Sequence, residues 1–86
     1  MPAVGAELAD LVRLSKDFTT NGHAAADIKK AIDTSLGSTH WTGPAADKFR
    51  SEWNQFSPTL IKIQHALTEA STAVSKRRDV IDAATS

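Results

Sequence analysis

The chain has 86 residues, too few for more than one domain and close to the size at which a single core falls short without a staple or a partner. It contains no cysteine, which excludes disulfides and thiolate metal sites. Ten acidic residues balance ten basic ones, so the basic excess that phosphate contacts require is missing and no nucleic-acid partner is expected.

Met1 is followed by Pro2-Ala3-Val4-Gly5-Ala6, with no basic n-region and no long apolar run, so no cleaved signal peptide is expected. No apolar stretch approaches the roughly 20 residues that span a bilayer, so stable membrane insertion is not expected. Export, if it occurs, needs a route that does not read a cleaved N-terminal signal.

The first arm runs from about residue 4 to 36. Val4, Leu8, Leu11, Leu14, Phe18, Ala25, Ile28, Ile32 and Leu36 follow one another mostly at helical steps, which places them on one face of a helix. Charged residues fill the positions between them, with Arg13 four before Asp17 and Lys29 four before Asp33 as expected i,i+4 pairs. Thr19-Thr20-Asn21-Gly22 reads locally as a turn, because Asn and Gly tolerate positive φ. The arm is therefore either one helix with a weak middle or two helices broken there. Gly22 and Ala24-Ala25-Ala26 are also small enough to let a second helix come close.

Breakers cluster over residues 37–43. Gly37 follows the last apolar residue and suits a left-handed helix terminus. Gly43 suits an N-cap, Pro44 the first position of the next helix, and Asp47 the positive end of its dipole. Trp41 stands between these stops. It is either an aromatic plug over the end of a hairpin or a recognition residue held at a fixed tip.

The second arm, from about 44 to 82, has the cleaner pattern. Phe49, Trp53, Phe56, Leu60, Ile63, Leu67, Ala70, Val74, Arg77, Ile81 and Ala84 alternate steps of four and three through about five heptads. Pro58 lies inside this seam without breaking its phase, which predicts a kink there and no chain reversal.

A hairpin pivoting near residue 40 would set Ile32 beside Phe49, Ala25 near Phe56, Phe18 near Ile63 and Leu14 near Leu67. Residues beyond about Arg78 would then overhang or fray. The expected fold is all-α: one helix-turn-helix hairpin over residues 1–86. Two helices bury one face each, too little to offset backbone entropy, so two hairpins are expected to pair as an antiparallel dimeric four-helix bundle. Hairpin and dimer packing falls to Leu11, Leu14, Phe18, Ile28, Ile32, Phe49, Trp53, Phe56, Leu60, Ile63, Leu67 and Val74.

Little else in the chain carries chemistry. His23 with Asp27, and His65 with Glu69, have helical i,i+4 spacing but lie off the apolar seams, so no metal or other cofactor is expected. There is no nucleophile elbow and no glycine-rich phosphate loop, so the chain does not read as an enzyme. Lys76-Arg77-Arg78 is followed by Asp79 and Asp82 and reads as a self-paired helix end, or as a contact for an acidic partner.

Trp41-Thr42-Gly43, placed between two long amphipathic segments in a chain of this length, resembles the Trp-x-Gly turn of the WXG family, the ESAT-like proteins of type VII secretion. The resemblance covers nearly the whole chain and extends to Ala45-Ala46-Asp47-Lys48-Phe49-Arg50 after the turn. It implies a hairpin that forms a homodimer or a heterodimer with a related hairpin. It also implies export from a cytoplasmic pool to the outside, folded and without a signal peptide, by a complex containing a secretion ATPase. Trp41 and Gly43 are the residues it assigns to a recognition turn. Family members complete that signal with a Tyr-x-x-x-acidic tail, whereas this chain has no tyrosine, and Arg78 stands four before Asp82. The expected function is a secreted effector or secretion adaptor. The alternative is a helical interaction module that stays in the cytoplasm and chaperones a partner.

Overall fold

The computed structural model describes residues 7–85. Among them the chain is all-helical, with α1 at Leu8–Gly37, α2 at Pro44–Phe56 and α3 at Pro58–Thr85. The expected helix start at Val4 lies outside the described residues. α2 runs on into α3 through Ser57, whose backbone is helical (φ −58°, ψ −31°) and whose N–H donates to the Trp53 carbonyl at 2.7 Å. Pro58 supplies the bend, as its missing N–H requires, and the chain does not reverse there. The result is one long helix packed against one bent helix.

α1 is unbroken through Thr19-Thr20-Asn21-Gly22. The Asn21 side chain donates to the Asp17 carbonyl at 2.8 Å, one turn back, so it sits within the helix without reversing the chain. Gly22 is buried because α3 crosses there: a Cβ on it would stand 3.3 Å from the Gln64 carbonyl oxygen and 3.4 Å from Leu67 Cβ. Of the three alanines that follow, only Ala25 is buried.

The register differs from a pivot at residue 40. Ser15 meets Ser71 and Ser75, Gly22 meets Gln64 and Leu67, and Asp33 meets Trp53. The second arm is thus shifted by about two helical turns from the expected pairing. The cause is the loop. Residues 38–43 form no tight reversal but climb beside the first turns of α2, where Arg50 donates to the Thr39 and Trp41 carbonyls. No Cα of α2 comes within 8 Å of one in α1, so the arms splay towards this end. At the other end α3 keeps helical backbone to Thr85, so of the overhang or fraying expected beyond Arg78 the fraying does not occur among the described residues.

Gly37 is the last residue of α1 and does not take the left-handed conformation expected of it. Hydroxyls end the helix instead. Ser38 Oγ reaches the Thr34 and Ser35 carbonyls, each at 3.1 Å, and Thr39 Oγ1 donates to the Ser35 carbonyl at 2.7 Å. The N-terminus of α2 is as expected, with Gly43 at the N-cap, Pro44 at the first helical position and Asp47 in the first turn.

The molecule measures 66 × 17 × 15 Å with a radius of gyration of 19.6 Å, against about 12 Å for a compact chain of this length. A rod two helices wide has one internal seam and no central core. Ala25, Ala46 and Leu60 are its buried hydrophobic residues among those described.

Candidate interaction surface and turn

Small and polar side chains line the seam between the helices. Ser15 Oγ lies 2.9 Å from Ser71 Oγ and 2.7 Å from Ser75 Oγ, and Thr19 Oγ1 lies 2.7 Å from Ser71 Oγ. Beyond these come Gly22, Ala25, Ser57, Leu60 and Leu67, with Leu11, Phe18 and Val74 half-buried beside them. Towards the turn, Trp53 Nε1 donates to Asp33 at 2.6 Å, and Lys29 Nζ pairs with the other oxygen of that carboxylate at 2.6 Å. The Lys29 hydrogen bond first, then that of Trp53, holds the Asp33 carboxyl below its ordinary range, against a smaller opposing effect of desolvation. Arg13 pairs with Asp10 at 2.8 Å and not with the expected Asp17. Arg78 pairs with its neighbour Asp79, which partly neutralises the basic run.

The large apolar residues are divided between this seam and the surface. Leu14, Ile28, Ile32, Phe49, Phe56 and Ile63 are 41–53% exposed. Each stands one residue before a member of the seam: Leu14 before Ser15, Ile28 before Lys29, Ile32 before Asp33, Phe49 before Arg50, Phe56 before Ser57 and Ile63 before Gln64. One residue turns a helix by roughly 100°, so all six are rotated away from the seam in the same sense. The arms run antiparallel, and the same sense on antiparallel helices points to the same side. The six residues therefore share one face of the hairpin. Val12, which follows a seam residue, is on the opposite flank.

Trp41 closes the loop end of that face. Its ring centroid lies 5.8 Å from that of Phe49 at an interplanar angle of 46°, and the residue is 41% exposed. It is neither buried as a plug nor free in solvent. Gly43 has φ 107°, a left-handed value that a Cβ disfavours, which gives the glycine of Trp-x-Gly a backbone reason. A cleft of about 200 Å³ opens between the splayed arms, lined by Asp33, Leu36, Gly37, Arg50, Trp53 and Asn54.

Three features were not anticipated from the sequence: the hydroxyl cluster, the Asp33–Trp53 link and the Arg50 contacts. The first had a signal, since Ser15 and Thr19, and Ser71 and Ser75, are each four apart and so share a helix face. The other two join residues far apart in sequence and had none.

Fold and surface together define a helical hairpin with an uncovered apolar face and an aromatic turn. Comparison with protein-family models, curated proteins and solved structures finds no match to the chain. Among the described residues no helix is long and apolar enough to cross a membrane.

Proposed function

We propose that this chain is one subunit of a paired helical bundle, with a second hairpin covering its apolar face, and that it acts as an ESAT-like substrate or adaptor of a type VII secretion system. The observation that carries the pairing is the division of its side chains. The seam within the hairpin takes serines, a threonine, a glycine and an alanine together with Leu60, Leu67, Phe18 and Val74, while two phenylalanines, three isoleucines and a leucine are left facing solvent together. The accessible surface is 6352 Å², against about 4,900 Å² for a compact monomer of its mass. The excess is of the order of what one partner contributes to a stable interface, ~800 Å² or more. Covering that face would give the chain the core that two helices lack.

The secretion role rests on the Trp41-Thr42-Gly43 turn between two long arms, with Trp41 continuing the apolar face. In this proposal Trp41 and Gly43 form half of a recognition surface, the chain leaves a cytoplasmic pool without a cleaved signal, and a secretion ATPase reads the pair. These 86 residues contain no tyrosine, and in a heterodimer the partner hairpin would bring the tail half of such a signal. The pairing by itself would equally serve a second reading, an unexported bundle subunit that chaperones its partner.

Two measurements test this. Sedimentation equilibrium should show a dimer, alone or with a co-expressed hairpin; a folded monomer at micromolar concentration refutes the pairing. Mass spectrometry of culture supernatant should find the chain only when the secretion ATPase is active. Retention in cells under both conditions leaves the unexported reading.

A further inference from the structure

We propose that Arg50 is the positioning residue of the turn, holding the loop so that the Trp41 indole stands against Phe49 at the end of the apolar face. The inference rests on the reading of Trp41 as part of a contact surface. Arg50 lies in the second turn of α2, and its guanidinium reaches back across the loop. Nη1 donates to the Trp41 carbonyl at 2.7 Å and Nη2 to the Thr39 carbonyl at 3.3 Å. The Thr39 carbonyl also accepts the Trp41 N–H at 3.1 Å, so one fork ties both ends of this short bend.

Among the described residues Arg50 forms no ion pair, which leaves its charged donors directed at the loop. A planar guanidinium can serve two carbonyls at once in a fixed geometry, whereas an ammonium is a point donor. The first part of the loop is fixed to α1 by the Ser38 and Thr39 hydroxyls. Arg50 joins the Trp41 peptide to α2, and Phe49, its neighbour in sequence, meets the Trp41 ring. Adjacent residues of one helix thus hold the backbone and the side chain of Trp41. An aromatic group held in place before binding loses less freedom when a partner covers it.

The test uses the full chain labelled with 5-fluorotryptophan and observed by fluorine NMR, its two resonances assigned with Trp41→Phe and Trp53→Phe. In Arg50→Ala the Trp41 resonance should move towards that of free indole while the Trp53 resonance stays in place. Arg50→Lys should restore part of the shift. A general structural role for Arg50 would lower the melting temperature or move both resonances, without selectivity for Trp41. Should Arg50→Ala fail to fold, Arg50→Gln serves in its place. A Trp41 resonance unmoved in the folded variant overturns the proposal.

Self-association, read by sedimentation, gives the second arm. If the held position falls to a tenth of the population in each copy without Arg50, pairing of two such copies weakens about a hundredfold. In a Trp41→Ala background the same substitution should add nothing, and an equal loss there overturns the proposal. A chain that remains monomeric both alone and with a co-expressed hairpin refutes the pairing of apolar faces instead, and the fluorine result then decides the role of Arg50 by itself.

Discussion

Ser15 and Ser71 face each other across the hairpin with each hydroxyl in reach of the other's carbonyl, at 2.8 Å and 3.1 Å. Thr19 and Ser75 extend the cluster by one turn on each helix. A hydroxyl carries one proton, so these contacts share protons and cannot all form together. They hold the arms in register towards the open end, beside half-buried Leu11, Phe18 and Val74. Ser71→Ala should lower stability by about 1 kcal/mol, measured by urea unfolding, because Ser15 and Thr19 lose a shared partner in a half-dry seam. Replacing all four hydroxyls with apolar groups of similar shape should cost less than the sum of the single changes, since no group is then left without its partner.

At Gly22 the two helices come close together. Alanine there gains up to about 1 kcal/mol of helix propensity, but its Cβ meets the Gln64 carbonyl oxygen at 3.3 Å and Leu67 Cβ at 3.4 Å. The two effects oppose, so Gly22→Ala should change stability little. Gly22→Ile has no room and should cost about 1–3 kcal/mol through overpacking. Thermal melts of the two variants side by side check this. A destabilised alanine variant would show that the neighbouring helix cannot give by a few tenths of an ångström.

Helical class, the turn, the N-cap at Gly43 and the bend at Pro58 were legible because they follow from local rules. Apolar spacing, a proline without an N–H and glycine between two arms act over a few residues. The register was not legible, since it depends on how residues 38–43 lie against α2, and that is set by Arg50, Phe49 and the hydroxyl caps. Nor did the apolar seam of the second arm reveal which residues would turn inward. Leu60 is buried and Trp53, Leu67 and Val74 are half-buried, yet Phe49, Phe56 and Ile63 from the same seam face out. A seam drawn at heptad spacing covers two neighbouring stripes, and the spacing by itself does not say which of them meets α1.

Asp33 links pH to the splayed end. Its carboxyl is held below the ordinary aspartate range by Lys29 and Trp53, so the folded state favours the ionised form. A depressed acid contributes stability that is fully present above its unfolded pKa and lost as pH falls through the folded value. Asp33→Asn should therefore be less stable than the parent at neutral pH, and the difference should shrink to nothing in acid below the ordinary aspartate range. Trp53→Phe should remove part of the same dependence. Urea midpoints measured across the acid range check both, and a parallel pair of curves would refute the link.

Gly37 and Gly43 bracket the loop but differ in need. Gly43 has φ 107°, so Gly43→Ala should cost about 1–2 kcal/mol in strain even though nothing lies within 4 Å of the added Cβ. Gly37 is helical with open space around it, and Gly37→Ala should gain up to about 1 kcal/mol. Denaturant titration of the two variants should give opposite signs. Equal effects would mean that the turn tolerates a side chain at Gly43.

The apolar face yields the sharpest comparison. Phe56 is 53% exposed and lies between Phe49 and Ile63 on the shared side, whereas Val12 is 46% exposed on the other flank. If a partner covers the face, burying a phenylalanine side chain contributes about 1.5–3 kcal/mol to association. Phe56→Ala should then weaken pairing by about 10- to 100-fold. Val12→Ala, a truncation at similar exposure, should leave pairing unchanged. Helix content by circular dichroism, read at a concentration where both variants are still paired, should stay the same in both, because neither side chain belongs to the seam within the hairpin. Sedimentation equilibrium of the two variants separates a specific face from general stickiness, since loss of association in Val12→Ala as well would mean that exposed apolar area alone drives it.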